Sequence, residues 1–203
     1  MKLYKFYKAI LNYPYKLIYR VKVEGRENEP PPPYIVCGNH SSYSDPVLVT
    51  VVLKELPVWL GKKDLLKHAF MRFIYKTVGA IPIKREGLDT LALHKCIDAI
   101  KEGKTVGIFP QGTRIRNIDP SPEQAHAGLA LIAGITKATV LPISIVTKKR
   151  RPSAFRRTKI IIHKPIGYEE YSAISEKPTK QEITNYIFEK VCEPFKTTEE
   201  ERK

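Results

Sequence analysis

The chain has 203 residues, 42% hydrophobic and 28% charged, enough apolar content for one globular domain and too much for a disordered chain. Three widely spaced cysteines, Cys37, Cys96 and Cys192, form no CxxC pair, which excludes a disulfide-built scaffold and a zinc ribbon and fits reduced thiols. The formal charge of +14 is localised: residues 1–22 hold six basic residues and no acid, residues 148–164 hold eight and no acid, and the remainder nets to zero. Two such segments call for a polyanionic partner, and anionic lipid headgroups, nucleic acid and an acidic carrier protein all qualify.

In chain order, the N-terminus reads as amphipathic helix. Leu3, Phe6, Tyr7, Ile10 and Leu11 share a face away from Lys2, Lys5 and Lys8, and after Pro14 an apolar stripe resumes at Tyr15, Ile18 and Tyr19 beside Lys16, Arg20 and Lys22. Two short helices separated at Pro14 are expected. Basic, aromatic-rich helices suit a membrane interface, but a helix packed on its own domain with a solvated basic face fits the pattern equally well. The lysines also break the apolar core a signal peptide requires.

Beyond the proline run at residues 30–33, strands are expected at Tyr34–Cys37, Pro57–Gly61, Ala80–Lys84, Thr105–Phe109, Thr139–Val146 and Lys159–His163, each short, apolar and bounded by breakers. Helical periodicity fits Pro46–Leu53, Leu65–Tyr75, Leu88–Glu102, Glu123–Ala133 and Thr179–Val191. The alternation predicts an α/β fold, a mixed, largely parallel sheet flanked by helices, with the N-terminal amphipathic helical appendage. The longest nearly uncharged run, Gly128 to Val146, contains Gly134, Lys137 and Pro142 and reads as a buried helix passing into a buried strand, not as a membrane span.

Chemistry collects where strands turn into helices. The first junction, Gly38 to Pro46, holds His40 and Asp45 five positions apart. A turn between them lets the carboxylate accept from one imidazole nitrogen and leaves the other to take a proton from a substrate hydroxyl. Asp45, just before Pro46, is equally suited to cap the following helix. A second junction delivers Lys84 and Arg85 to a strand end. The third, Phe109-Pro110-Gln111-Gly112-Thr113-Arg114, places a glycine where backbone can approach a ligand and an arginine fork that suits phosphate.

Taken in order, Asn39-His40 with Asp45, Gly79 to Arg85, Phe109-Pro110 with Gly112-Thr113-Arg114, and Leu141-Pro142-Ile143 resemble the glycerolipid acyltransferase family, which includes 1-acylglycerol-3-phosphate acyltransferases, over roughly residues 34–146. The sequence departs from that family's pattern at Gln111, where glutamate is usual, and at His126, where lysine or arginine is common. The resemblance implies acyl transfer from an acyl-CoA or acyl-carrier-protein thioester, as co-substrate and with no further cofactor, to a hydroxyl of lysophosphatidic acid. It makes His40 the general base and Asp45 its orienting partner, with Lys84, Arg85, Gly112, Thr113 and Arg114 binding substrate. It also implies a peripheral enzyme on the cytoplasmic face of an anionic phospholipid membrane. Residues 1–24 would then be the membrane-interface helices and residues 25–203 the acyltransferase domain, with the 148–164 segment a second lipid contact or a dock for acyl carrier protein.

Competing chemistries are weaker. Cys37 lies close to His40, yet strand alternation makes it a buried residue rather than a nucleophile. The five histidines show no metal-ligand spacing, so no metal is expected. Gly103-Lys104-Thr105 lacks the earlier glycine of a phosphate loop, the position being Asp98. A non-catalytic basic protein binding membrane or nucleic acid explains the charge but neither His40 with Asp45 nor the Arg114 loop; nucleic acid is not the expected partner.

Overall fold

A computed structural model describes residues 2–67, 69, 72, 80–83 and 89–196. Seven strands, β1 (Val21–Glu24), β2 (Tyr34–Gly38), β3 (Val58–Lys62), β4 (Ile81–Ile83), β5 (Val106–Ile108), β6 (Thr139–Val146) and β7 (Thr158–Ile162), form one sheet in the order β1-β7-β6-β2-β5-β3-β4. All pairings are parallel except β6 with β7. The helices are α1 (Lys2–Ile18), α2 (Asp45–Val52), α3 (Thr90–Lys101), α4 (Gly128–Thr136), α5 (Tyr168–Ser172) and α6 (Lys180–Cys192).

The sequence of β2, Tyr-Ile-Val-Cys-Gly, is buried at all five positions because the strand is central and covered on both faces. Its alternation divides the core. Tyr34 and Val36 join Leu48, Val49 and Trp59 on one face, whereas Ile35 and Cys37 join Cys96, Ile100, Leu129 and Phe188 on the other. Pro142 in β6 falls where the β6–β7 ladder is interrupted, between the Val140–Ile166 bridge and the Ile143–Ile162 pair, so its missing N–H breaks no regular ladder there.

Several expectations are corrected. Lys2–Ile18 is one helix with Pro14 inside it, not two. Tertiary contacts outweigh the hydrogen bond that Pro14 removes: Tyr15 and Tyr19 stack at 5.5 Å and pack on the core beside α2. On the same helix, the Lys8 ammonium donates to the carbonyls of Leu53 (2.6 Å), Lys54 (2.8 Å) and Glu55 (3.3 Å), closing the C-terminal end of α2. Lys8, grouped by sequence with the solvent-facing lysines, is thus a structural tie, and burial lowers its pKa. Strand β1 was not expected; it pairs with β7 at the sheet edge, Lys22 opposite Lys159, with Glu24 bridging both lysines. The helix expected from Glu123 starts only at Gly128, after a separate 3-10 turn at Pro122–Gln124, and α5 was missed. Lys63–Lys67 is a 3-10 turn, and most of the helix expected over Leu65–Tyr75 lies outside the described residues.

Candidate active site

The parallel strands β2 and β5 are neighbours, and both expected loops leave their carboxyl ends, the edge of an α/β sheet where ligands bind. His40 comes two residues after β2, and Gln111 to Arg114 come shortly after β5. The two loops are knitted together. The His40 backbone N–H donates to Gln111 Oε1 at 2.7 Å, and the Ile115 N–H donates to the His40 carbonyl at 2.9 Å. Asn39 is buried and extends the sheet, its side-chain amide exchanging hydrogen bonds with the Ile145 backbone at 3.1 and 2.8 Å.

His40 Nδ1 lies 2.8 Å from Asp45 Oδ2. That oxygen also accepts the Ser41 and Ser42 N–H groups at 2.6 and 2.7 Å, so it faces the ring as an acceptor and puts the proton on Nδ1. The basic nitrogen is then Nε2. Asp45 is fully buried and the His40 side chain is 11% exposed, so the pair sits where water screens little. The alternative of a helix cap is not realised: Ser44 precedes α2, Asp45 is inside its first turn, and the carboxylate bonds N–H groups upstream of the helix.

An aromatic stack supports the imidazole. His40 lies over Phe109 (4.4 Å between centroids, 13° between planes), and Phe109 lies over Trp59 (4.8 Å, 11°). The Trp59 indole donates to Thr50 Oγ1 at 2.9 Å and crosses β5 at Gly107, where an added Cβ would come 2.4 Å from the ring. This ladder, Thr50, Trp59 and Gly107 included, was not foreseen, because its members are brought together only by strand order. Cys37 is fully buried, and burial raises its thiol well above the ordinary range, which removes it as a nucleophile.

In the second loop, Gly112 has φ +64°, and an added Cβ would meet the His126 ring at 3.1 Å. Gly112 and Thr113 are exposed, and the Arg114 guanidinium lies 3.4 Å from the centroid of the exposed Tyr43 ring, a contact sequence reading missed. Gln111 is buried and continues a chain of amides: its Nε2 donates to Gln124 Oε1 at 2.7 Å, and Gln124 Nε2 donates to the Asp119 carbonyl at 3.3 Å. A cavity of about 10 Å³ beside His40 is lined by Gln111, Ile118, Asp119 and Arg150, with Arg150 paired to Asp119 at 3.1 Å. The basic segment that begins at Lys148 therefore reaches the site. Lys84 and Arg85 lie outside the described residues; β4, which ends just before them, is separated from β5 by β3. Among the described residues, His, Cys, Asp and Glu form no group of three or more able to hold a metal ion.

Comparison with known proteins gives this geometry a context. Over 195 residues the chain is 26% identical to a 1-acyl-sn-glycerol-3-phosphate acyltransferase of Bacillus subtilis (strain 168), covering 94% of this chain and 96% of that protein. A protein of the same name from Borreliella burgdorferi is 30% identical over 129 residues, 62% of this chain and 51% of that protein. Among solved structures, the 1-acyl-sn-glycerophosphate acyltransferase PlsC from Thermotoga maritima superposes with a TM-score of 0.70 at 26% identity, covering 88% of this chain and 73% of that one. The sequence model of the family described as Acyltransferase matches residues 20–146, which hold both junction loops and the buried His40–Asp45 pair; the chain belongs to the Acyltransferase family.

Proposed function

We propose that this protein is a 1-acyl-sn-glycerol-3-phosphate acyltransferase, moving an acyl group from an acyl-CoA or acyl-carrier-protein thioester to the free hydroxyl of lysophosphatidic acid to give phosphatidic acid. The observation that carries the mechanism is the His40–Asp45 pair at 2.8 Å with the carboxylate fully buried. His40 Nε2 takes the hydroxyl proton as the oxygen attacks the thioester carbonyl, and Asp45 stabilises the imidazolium that forms. The tetrahedral adduct then collapses, the C–S bond breaks, and the departing thiolate recovers the proton from His40. No covalent enzyme intermediate and no further cofactor are needed. Arg114, held against Tyr43, binds the acceptor phosphate with Gly112 and Thr113, and Lys84 and Arg85 complete that set.

The protein works as a peripheral enzyme on the cytoplasmic face of an anionic membrane. Among the described residues, no helix is long and apolar enough to cross a bilayer. On α1, Phe6, Ile10, Tyr13 and Leu17 are 51–77% exposed at helical spacing. This stripe lies opposite the docked Tyr15 and Tyr19 and suits the interfacial layer. Nucleic acid has no part in this reading.

The test is product analysis by mass spectrometry with purified protein, lysophosphatidic acid and each donor in turn. Phosphatidic acid should form with at least one donor, and His40→Ala should lower the rate about 10²–10⁴-fold without unfolding the protein. No product with either donor in the presence of anionic vesicles would overturn the assignment.

A further inference from the structure

The two basic segments, residues 1–22 and 148–164, meet in space. The parallel register of β1 with β7 sets Val21 beside Thr158, and the connection between β6 and β7 folds back on the C-terminal end of α1. There the Phe155 N–H donates to the Ile18 carbonyl at 2.6 Å and the Thr158 N–H to the Tyr19 carbonyl at 3.1 Å, satisfying acceptors that a helix end leaves open. At its tip Phe155 has φ +61°, a conformation that bulky side chains avoid, and the residue is 76% exposed. Arg151 and Arg156 on either side are exposed, as is Leu17 at the end of the α1 stripe. A large apolar side chain held outward in strained backbone and flanked by cations adds little to the packing of the fold.

We propose that the β6–β7 hairpin is a second membrane-inserting element, in which the Phe155 ring enters the interfacial layer of an anionic bilayer while Arg151 and Arg156 meet headgroup phosphates. This rests on the reading of the protein as an enzyme acting on a bilayer. Because the hairpin is hydrogen-bonded to α1 and its Arg150 lines the cavity beside His40, two contacts with the membrane fix the orientation of the catalytic face rather than merely tether it. A lipid surface is favoured over an acidic carrier protein because exposed Phe155 is tied by its N–H to Ile18, next to exposed Leu17 at the end of the apolar stripe of α1.

Phe155→Trp in the full chain tests insertion directly, with Trp59, the sole native tryptophan and 6% exposed, as a constant background. Emission from the introduced indole should shift to the blue on phosphatidylglycerol vesicles and be quenched by brominated acyl chains, and neither should occur on pure phosphatidylcholine. Phe155→Gly, which suits the positive φ, combined with Arg151→Gln and Arg156→Gln should weaken vesicle binding about fivefold for each arginine and further for the ring, with circular dichroism unchanged. Emission of the introduced indole unaffected by brominated lipid, or vesicle binding within twofold of wild type for the triple variant, overturns the proposal. So does a raised KM for the acyl-carrier-protein donor alone, which would make the hairpin a carrier dock. Quenching of that indole in a protein whose wild type is devoid of acyl transfer would defeat the functional reading and leave the hairpin's role standing.

Discussion

Asp45→Asn separates charge from geometry at the centre of the site. The Ser41 and Ser42 N–H groups both point at Oδ2, so the asparagine oxygen takes that position and still accepts from His40 Nδ1, which preserves the ring tautomer and its orientation. The amide NH₂ then occupies the place of Oδ1, a buried atom with no hydrogen-bond partner, at a stability cost of about 1–3 kcal/mol. What is lost in the reaction is the carboxylate charge. At 2.8 Å and an effective dielectric constant near 20, its attraction for an imidazolium is about 6 kcal/mol. A proton half transferred in the transition state would forfeit about half of that, so kcat/KM should fall by between about 10² and 10⁴. Steady-state kinetics with a water-soluble acceptor provides the measurement, with thermal unfolding to show that the variant is folded. In a His40→Ala background Asp45→Asn should have little further effect, since both residues act through one proton transfer. A folded Asp45→Asn enzyme within threefold of wild type, or one whose effect is undiminished by His40→Ala, would refute the dyad.

Gln111→Glu sets a carboxylate oxygen against Gln124 Oε1, and a flip of the Gln124 amide relieves this at the expense of the long bond to Asp119. The variant should lose about 1–3 kcal/mol of stability and change kcat/KM by less than about two orders of magnitude; a wild type inactive until Gln111→Glu is made would show that the charge is essential. Lys8→Met should loosen α1 from α2 and speed proteolysis within residues 2–18 while the sheet stays protected from hydrogen exchange, and equal protection of α1 in both proteins would disprove the tie. His163 is held below its ordinary pKa by burial, which outweighs the opposing Glu193 and is reinforced by Lys190. Its Nε2 donates to Ser144, whose own proton goes to the Val191 carbonyl. The unfolded chain therefore binds the additional proton first, and stability is lost as pH falls below about 6.5. His163→Gln should show a smaller drop in urea midpoint between pH 7 and 5 than wild type, and identical drops would remove His163 as a source of acid sensitivity.

Local pattern sufficed for the alternation of strands and helices. Short apolar runs between breakers located six of the seven described strands, because each strand must be apolar on every face that the sheet's helices cover. His40 and Asp45 were legible for a similar reason: five residues around one turn need no long-range information to meet. The same loop shows the limit of local reading, since asparagine, serine or aspartate before a proline has the same signature whether it caps a helix or holds an imidazole. Only the directions of the Ser41 and Ser42 N–H groups decide between them.

Partners far apart in the chain were beyond such reading. Val21-Lys22-Val23-Glu24 alternates apolar and charged residues before Gly25, but four residues following an amphipathic helical stripe are too few to fix a strand by themselves, and this edge strand is selected by its neighbour β7. Lys8 and Lys16, Lys22 and Lys159 count alike in a charge sum, yet one ties two helices and two share Glu24. The stack of His40, Phe109 and Trp59 depends on strand order, and so does the merging of two basic segments into one surface beside α1. From sequence alone came which side chains could do the chemistry and that the charge was confined to two segments. Tertiary structure alone decided which cations stay exposed, which rings stack on the His40 imidazole and where the two basic segments come together, because these follow from register between strands that have no common local signal.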